Sequence, residues 1–186
     1  DNFRLNHVSL QIPEGSIYGL IGENGAGKTT LINCILGLVQ PNYGDVVVLG
    51  SNNFINEIEL KDKLGFVIND MGIPNILTVD KIEEIFSKIY KHWEHKQFVK
   101  LLKQFEIDEE AKYETLSLGN KMRIAIAIAL SHNAKLLVLD EPMNALDPAI
   151  RAEVVELLIE YTRQEDRTIL ISSHIVTDLE KMCDYI

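Results

Sequence analysis

Basic residues are scarce: 18 Lys and Arg stand against 28 Asp and Glu, leaving a net charge of -10 at pH 7. That balance argues against nucleic acid as a partner, because broad binding to a phosphate backbone draws its affinity from Lys and Arg. Cysteine is nearly absent. Cys34 and Cys183 have neither metal-ligand nor disulfide-framework spacing, so a reducing cytosol is expected. No apolar run approaches the roughly 18–20 residues needed to cross a bilayer. The stretch Asp1-Asn2-Phe3-Arg4 lacks the basic-then-apolar pattern of a signal peptide. No internal repeat, low-complexity tract or linker interrupts the chain. What is present is 186 residues, 46% hydrophobic and 25% charged, enough for one α/β domain with a small inserted subdomain.

The most informative stretch is Gly22-Glu23-Asn24-Gly25-Ala26-Gly27-Lys28-Thr29-Thr30, which has the spacing of a phosphate-binding loop. Glycines allow the backbone to fold tightly and aim successive N–H groups at phosphate oxygens. In such a loop Lys28 reaches the β- and γ-phosphates and the Thr29 hydroxyl holds Mg²⁺. The flanks agree: Ser16–Ile21 reads as a buried strand, and Thr30–Leu36 as the start of a helix whose N-terminus favours an anion. A nucleoside triphosphate is the implied ligand.

Elsewhere the pattern predicts a strand from Val8, Leu10 and Ile12, which alternate with polar residues before Pro13-Glu14-Gly15. Further strands are expected at 45–50 and 64–68, and Gly37 is expected to stop the first helix. Ile82, Ile85, Phe86 and Ile89, then Phe98, Leu101, Leu102 and Phe105, recur at helical spacing, so two amphipathic helices are expected, with Trp93 in their shared core. His92 and His95 have no obvious carboxylate partner in the sequence and read as surface residues, as do His7 and His132.

Ser117 is placed to cap an apolar, alanine-rich helix over 121–130. Leu136–Leu139 reads as a core strand ending in Asp140-Glu141-Pro142, where a parallel α/β sheet places its ligand. Asp140 can hold Mg²⁺ through water, and Glu141 can orient or deprotonate an attacking water. Asn144–Pro148 reads as a turn into a helix with Val154, Leu157, Leu158 and Tyr161 on one side. A last strand over 168–171 ends at Ser172-Ser173-His174, where a histidine can meet a phosphate oxygen.

Taken in order, the phosphate loop, Leu116-Ser117-x-Gly119, Leu136–Pro142, Asn144-Ala145-Leu146-Asp147 and Ser173-His174 resemble the motifs of an ABC transporter ATP-binding subunit. They are similar to that family's Walker A, signature, Walker B, D-loop and switch histidine. The finer pattern looks most like bacterial ABC-2-type exporters. The resemblance implies an α/β P-loop ATPase core with an antiparallel β portion at the N-terminal side and a helical subdomain over about 72–130. It implies one domain over 1–186, trimmed at both ends. It implies ATP and Mg²⁺ as cofactors, with Lys28, Glu141 and His174 as catalytic residues. Gly22, Asn24, Gly25, Ala26, Gly27, Lys28, Thr29 and Thr30 would contact nucleotide, joined by Ser117, Gly119, Asn120 and Asp147. Thr29, Asn69 and Asp140 would face the metal.

It further implies a head-to-tail homodimer or heterodimer closed by ATP, and an integral membrane partner subunit. The chain would then be cytoplasmic, on the inner face of the cell membrane. Leu118 stands where the family's signature has a glycine, Asn120 where a glutamine is common, and Asn69 where the family has a glutamine. The adenine-stacking aromatic would fall just before Asp1, and Phe3 is a poor substitute by spacing. Two other readings stand beside transport. One is a soluble mechanochemical ABC ATPase, whose usual second ATPase domain or long insertion is not visible. The other is a P-loop kinase, which would leave the signature and His174 unexplained.

Overall fold

The structure is a computed structural model that describes residues 4–163 and 166–186; Phe3 lies outside them. Four strands form one parallel sheet: β1 (Ile17–Ile21), β2 (Leu64–Val67), β3 (Leu136–Asp140) and β4 (Thr168–Ser173), in the order β1-β4-β3-β2. Parallel neighbours need crossover connections. The helices supply them: α1 (Lys28–Ile35), α2 (Ile58–Lys61), α3 (Val79–Ile89), α4 (His95–Gln104), α5 (Leu118–Ala129), α6 (Pro148–Thr162) and α7 (Val176–Leu179).

Both faces of the sheet are covered, which is why β3 and β4 read as unbroken apolar runs and not as alternating ones. Successive side chains still point to opposite faces. Leu137, Leu139, Ile169 and Ile171 join the larger core with α3 to α6. Leu136, Val138 and Leu170 join a smaller core with Ile32 of α1, Val48 and Phe54. Gly65 in β2 lets that strand sit close beneath the end of α5. A Cβ there would run into the Leu137 side chain and would lie 3.1 Å from both the Ala129 carbonyl oxygen and the His132 ring.

The expected antiparallel portion does not form among the described residues. Residues 8–12 make no strand, and Val8 is exposed. Alternation alone cannot build a strand when no neighbour offers a hydrogen-bonding edge. The expected strand over 45–50 shrinks to one bridge between Val48 and Ser51, because Leu49 (φ 50°) and Gly50 (φ 81°) turn the chain back at once.

The two amphipathic helices are present as α3 and α4, with Ile82, Phe98, Leu101 and Leu102 fully buried. Ile85 and Ile89 are not core: 42% and 62% of their surface remains exposed. Trp93 packs at 5.3 Å against the Phe98 ring and donates from Nε1 to Glu83.

The histidines also differ from expectation. His92 and His95 are exposed but do have carboxylate partners, with Nε2 of His92 3.8 Å from Asp62 and Nδ1 of His95 2.6 Å from Glu83. His7 is exposed as expected. His132 is fully buried, stacked 3.7 Å from the Tyr90 ring, with Nδ1 3.1 Å from the Ile128 carbonyl and Nε2 3.3 Å from that of Leu64.

After α7 the chain runs back along β1. The Gly19 N–H donates to the Tyr185 carbonyl at 2.8 Å, the Asp184 N–H to that of Ile17, and the Ile17 N–H to the Asp184 carboxylate.

Candidate functional site

The strand order sets the site. β1 pairs with β4 and β4 with β3, so Ile21, Ser173 and Asp140 reach the same end of the sheet. The loop after β1, the acidic pair after β3 and His174 after β4 therefore meet at the carboxyl ends of adjacent strands. Gly25 (φ 81°) and Gly27 (φ 104°) take left-handed conformations that turn the loop into α1, with Gly27 as the helix N-cap. No side chain caps that helix, so its first N–H groups point toward the cleft without a side-chain acceptor.

The cleft has a volume of about 430 Å³ and is lined by Asn24, Gly25, Gly27, Lys28, Thr29, Thr30, Asn69, Glu141 and Asn144. The Lys28 ammonium is buried, donates to the carbonyls of Gly22 (2.6 Å) and Glu23 (3.1 Å), and pairs with Glu141 Oε1 at 3.0 Å. Glu141 Oε1 makes that ion pair but no hydrogen bond, while Oε2 lies 2.9 Å from Nδ1 of His174. Burial alone would raise the Glu141 carboxyl. The contacts and positive charges of Lys28 and His174 outweigh it and hold the pKa below the ordinary 4.5.

Glu141 itself sits at φ 51°, a left-handed conformation that side-chain-bearing residues seldom adopt. Its carboxylate and that of its neighbour have different partners. Asp140 instead faces β4 and α1: Thr29 Oγ1 donates to one oxygen at 2.7 Å and Ser172 Oγ to the other at 2.6 Å. Ser172 also accepts from the Glu141 N–H at 2.9 Å, locking the strand end. Ser172 and Asn144 were not among the candidates read from sequence. Asn144 lay within a recognised motif, and Ser172 stands directly opposite Asp140 in the β3–β4 register, which only pairing reveals.

The remaining candidates lie elsewhere. Ser117, Gly119, Asn120 and Asp147 are not among the residues lining the cleft. Ser117 caps α5 by accepting from the Asn120 N–H at 3.2 Å. Asp147 caps α6, accepting from the N–H groups of Ala149 and Ile150, and pairs with Arg123 at 3.2 Å. Gly119 has its own reason to be a glycine, because a Cβ there would lie 2.8 Å from the Ala145 carbonyl oxygen.

The donor set fits a nucleotide phosphate chain with Mg²⁺. Among the described residues no group of three or more His, Cys, Asp or Glu forms a metal cage. One carboxylate and one hydroxyl, Asp140 and Thr29, are what Mg²⁺ asks of a protein when phosphates and waters fill the rest of its octahedron. Glu141 Oε1, paired only with the Lys28 ammonium, adds an acceptor to the same cleft.

Comparison with known proteins converges on one family. The sequence profile described as ABC transporter matches residues 5–144. The chain is 35% identical over 184 residues to the bacitracin transport ATP-binding protein BcrA of Bacillus licheniformis, covering 98% of this chain and 60% of that protein. It is 34% identical over 185 residues to the lantibiotic transport ATP-binding protein SrtF of Streptococcus pyogenes, covering 98% and 78%. The chain thus spans about 60% of the length of the bacitracin transport proteins it matches.

Among solved structures, an ATP-binding subunit of an ABC transporter superposes with a TM-score of 0.85 at 25% identity, covering 96% of this chain and 77% of that one. A dimeric bacterial ABC transporter cassette gives 0.80 at 27%, covering 93% and 81%. Strand order, phosphate loop, paired carboxylates and these likenesses agree: the chain belongs to the ABC transporter family and has the P-loop fold of its ATP-binding subunits.

Proposed function

We propose that the chain is the ATP-binding and ATP-hydrolysing part of an ABC transporter. The observation that carries this reading is the convergence of Lys28, Thr29 and Glu141 on one cleft, with Asp140 bonded to Thr29 and His174 bonded to Glu141 just behind its lining, at the ends of three adjacent strands. The phosphate loop, Gly22 to Thr30, wraps the phosphates with backbone N–H groups, and Lys28 leaves its carbonyl and carboxylate partners for the β- and γ-phosphates. Thr29 and Asp140 would hold Mg²⁺, with Asn69 lining the same cleft, and the ion would supply positive charge against the phosphates.

Glu141, ionised and oriented by His174, takes a proton from water as the water oxygen attacks the γ-phosphorus and ADP leaves. His174, beside Glu141, is placed to contact the γ-phosphate as the water attacks. Asp140 is bonded to Thr29 and Ser172 while Glu141 is bonded to Lys28 and His174, so two adjacent acids take two tasks.

Ser117, Gly119 and Asn120 have no place in this chain's own cleft, and Ser117 and Leu118 are exposed. We assign them to the nucleotide of a second ATPase subunit in a head-to-tail dimer, with Asp147 at the same seam. ATP then joins the two halves, and hydrolysis releases them.

Residues 72–130 act as the helical subdomain of a single domain. An apolar groove there is lined by Met71, Ile73, Leu77, Ile85 and Phe86, and Met71 follows the cleft-lining Asn69 by two residues in the chain. That proximity in sequence supports a cytoplasmic segment of the membrane subunit as its occupant. No helix among the described residues is long and apolar enough to cross a membrane. In this reading the pathway lies on the partner subunit, and this subunit rests on the inner face. The bacitracin and lantibiotic transport proteins among its relatives support transport of a compound of that kind as the task.

The test is sedimentation velocity of the Glu141→Gln variant in the full-length subunit. Hydrolysis drains the closed state, and this variant keeps the side chain's shape while removing the base. It is expected to be monomeric alone and with ADP, dimeric with Mg-ATP, and slower in turnover by about 10²-fold or more. A variant that stays monomeric at saturating Mg-ATP would refute the sandwich, and unchanged turnover would refute the role of Glu141.

A further inference from the structure

Arg151 stands near the start of α6, outside every sequence motif discussed above. Its guanidinium holds two different segments at once. Nη2 donates to the Leu146 carbonyl at 3.3 Å, and Nη1 pairs with Asp178 at 3.4 Å, both side chains being largely buried. Leu146 belongs to the turn that begins with Asn144 at the cleft, and this turn is tied to the acidic pair through the Asn144 N–H and Glu141 carbonyl (3.3 Å). Asp178 belongs to α7, the segment that follows His174, and His174 touches the other face of Glu141.

α7 has only four residues, too few to fix its own position. Leu179, fully buried, sets its depth. The Ile175 N–H, donating to Ser173 Oγ at 2.9 Å, ties its start to β4, and the Arg151 fork supplies a further, directional point at its middle. α6, at fifteen residues with Val154 and Leu158 in the core, is the rigid body from which that fork projects.

Nε of Arg151 is buried without a hydrogen-bond partner. A buried donor left unmet is destabilising. A residue kept only for packing would be better replaced by an apolar side chain; a planar fork that must reach two segments has no apolar substitute.

We infer that Arg151 is a positioning residue for the hydrolysis proposed above: through Asp178 and Leu146 it holds His174 and Asn144 in register across Glu141. The inference rests on that functional reading, but its geometric content is separable from it. Small displacements of a group that must act on a reacting water cost far more in turnover than in binding. Arg151 touches none of the phosphate loop, so nucleotide affinity is set elsewhere.

The test compares Arg151→Ala, Arg151→Lys and Asp178→Asn with the parent in the same full-length subunit. Three readouts are taken: turnover per folded molecule, ATP affinity by calorimetry, and the imidazole NMR signals of the histidines, this chain's five among them. Arg151→Ala is expected to lower turnover about tenfold or more while ATP affinity stays within about twofold. The His174 signals should move and those of His7, His92 and His95 should not. Arg151→Lys keeps the charge but cannot span both partners, so it should restore activity only partly. Unchanged turnover, or a loss matched by the loss of ATP affinity, would overturn the inference. His174 signals indifferent to Arg151→Ala would overturn it as well. If the parent itself hydrolyses no ATP, the functional reading fails, and the His174 signals alone still decide whether Arg151 positions that ring.

Discussion

The buried His132 offers the sharpest test of how the sheet and helices are joined. Its ring fills space between α5, β2 and Tyr90, and Cε1 would lie 3.1 Å from any Cβ placed on Gly65. Both ring nitrogens face carbonyl oxygens, at 3.1 Å and 3.3 Å. A neutral imidazole has one N–H, so it can satisfy only one of them; the imidazolium would satisfy both. Burial favours the neutral form and outweighs the two carbonyls and the charge of Asp62, so the pKa is held below the ordinary 6.5.

His132→Ala removes a ring with no exposed surface and leaves a cavity beside an orphaned carbonyl. Losses of about 3–5 kcal/mol are typical for an aromatic-sized truncation in a core. The pH dependence follows with a definite sign. Because the folded pKa is depressed, the unfolded chain binds the proton first as pH falls below 6.5, and stability declines there. From about pH 7.5 to about pH 5.5 this single group can remove at most about 1.4 kcal/mol.

The assay is urea unfolding of wild type and variant at both pH values. Comparing the two slopes isolates His132 from the exposed His92 and His95. A variant within about 1 kcal/mol of wild type, or a pH slope unchanged by the substitution, would show that the ring is neither packed nor neutral as described.

Two further outcomes are expected. Lys28→Ala removes an ammonium that faces several phosphate charges; at about 1.5–3 kcal/mol for a charge-assisted bond, ATP affinity should fall about ten- to hundredfold by calorimetry, and near-normal affinity would contradict the loop assignment. Gly119→Ala should destabilise by about 1–3 kcal/mol in chemical unfolding, because its new Cβ meets a backbone oxygen, Ala145 O, at 2.8 Å and not a flexible side-chain tip. A more stable Gly119→Ala protein would mean that α5 and the turn at 144–147 have slack between them.

What the sequence made legible was local or built into a spaced motif. The phosphate loop is recognisable because glycine at fixed offsets is a backbone requirement, and Gly25 and Gly27 do adopt positive φ. β3 and the acids at its end were readable because a fully buried strand is a continuous apolar run. Pairwise partners were not readable. His132 looked like a surface residue because its stacking partner Tyr90 and its acceptor Leu64 are distant in the chain.

Residues 8–12 carried a strand's alternation without a strand's neighbour. Ile85 and Ile89 carried a helix's apolar periodicity, yet that periodicity does not say whether the covering partner lies in the same chain. Asp147 shows a motif residue with a complete structural occupation, capping α6 and holding Arg123, before any ligand is considered.

The return of the chain along β1 has a consequence for association. An unpaired outer strand is a template on which another molecule can add, and β1 occupies one border of the sheet. Here the outer side of β1 is already engaged by residues 184 and 185, reinforced by stacking of Tyr18 on Tyr185. The opposite border is β2, only four residues long and thus a poor template. Among the described residues, the strand that feeds the phosphate loop is therefore shielded along its outer side from recruitment by a neighbouring chain.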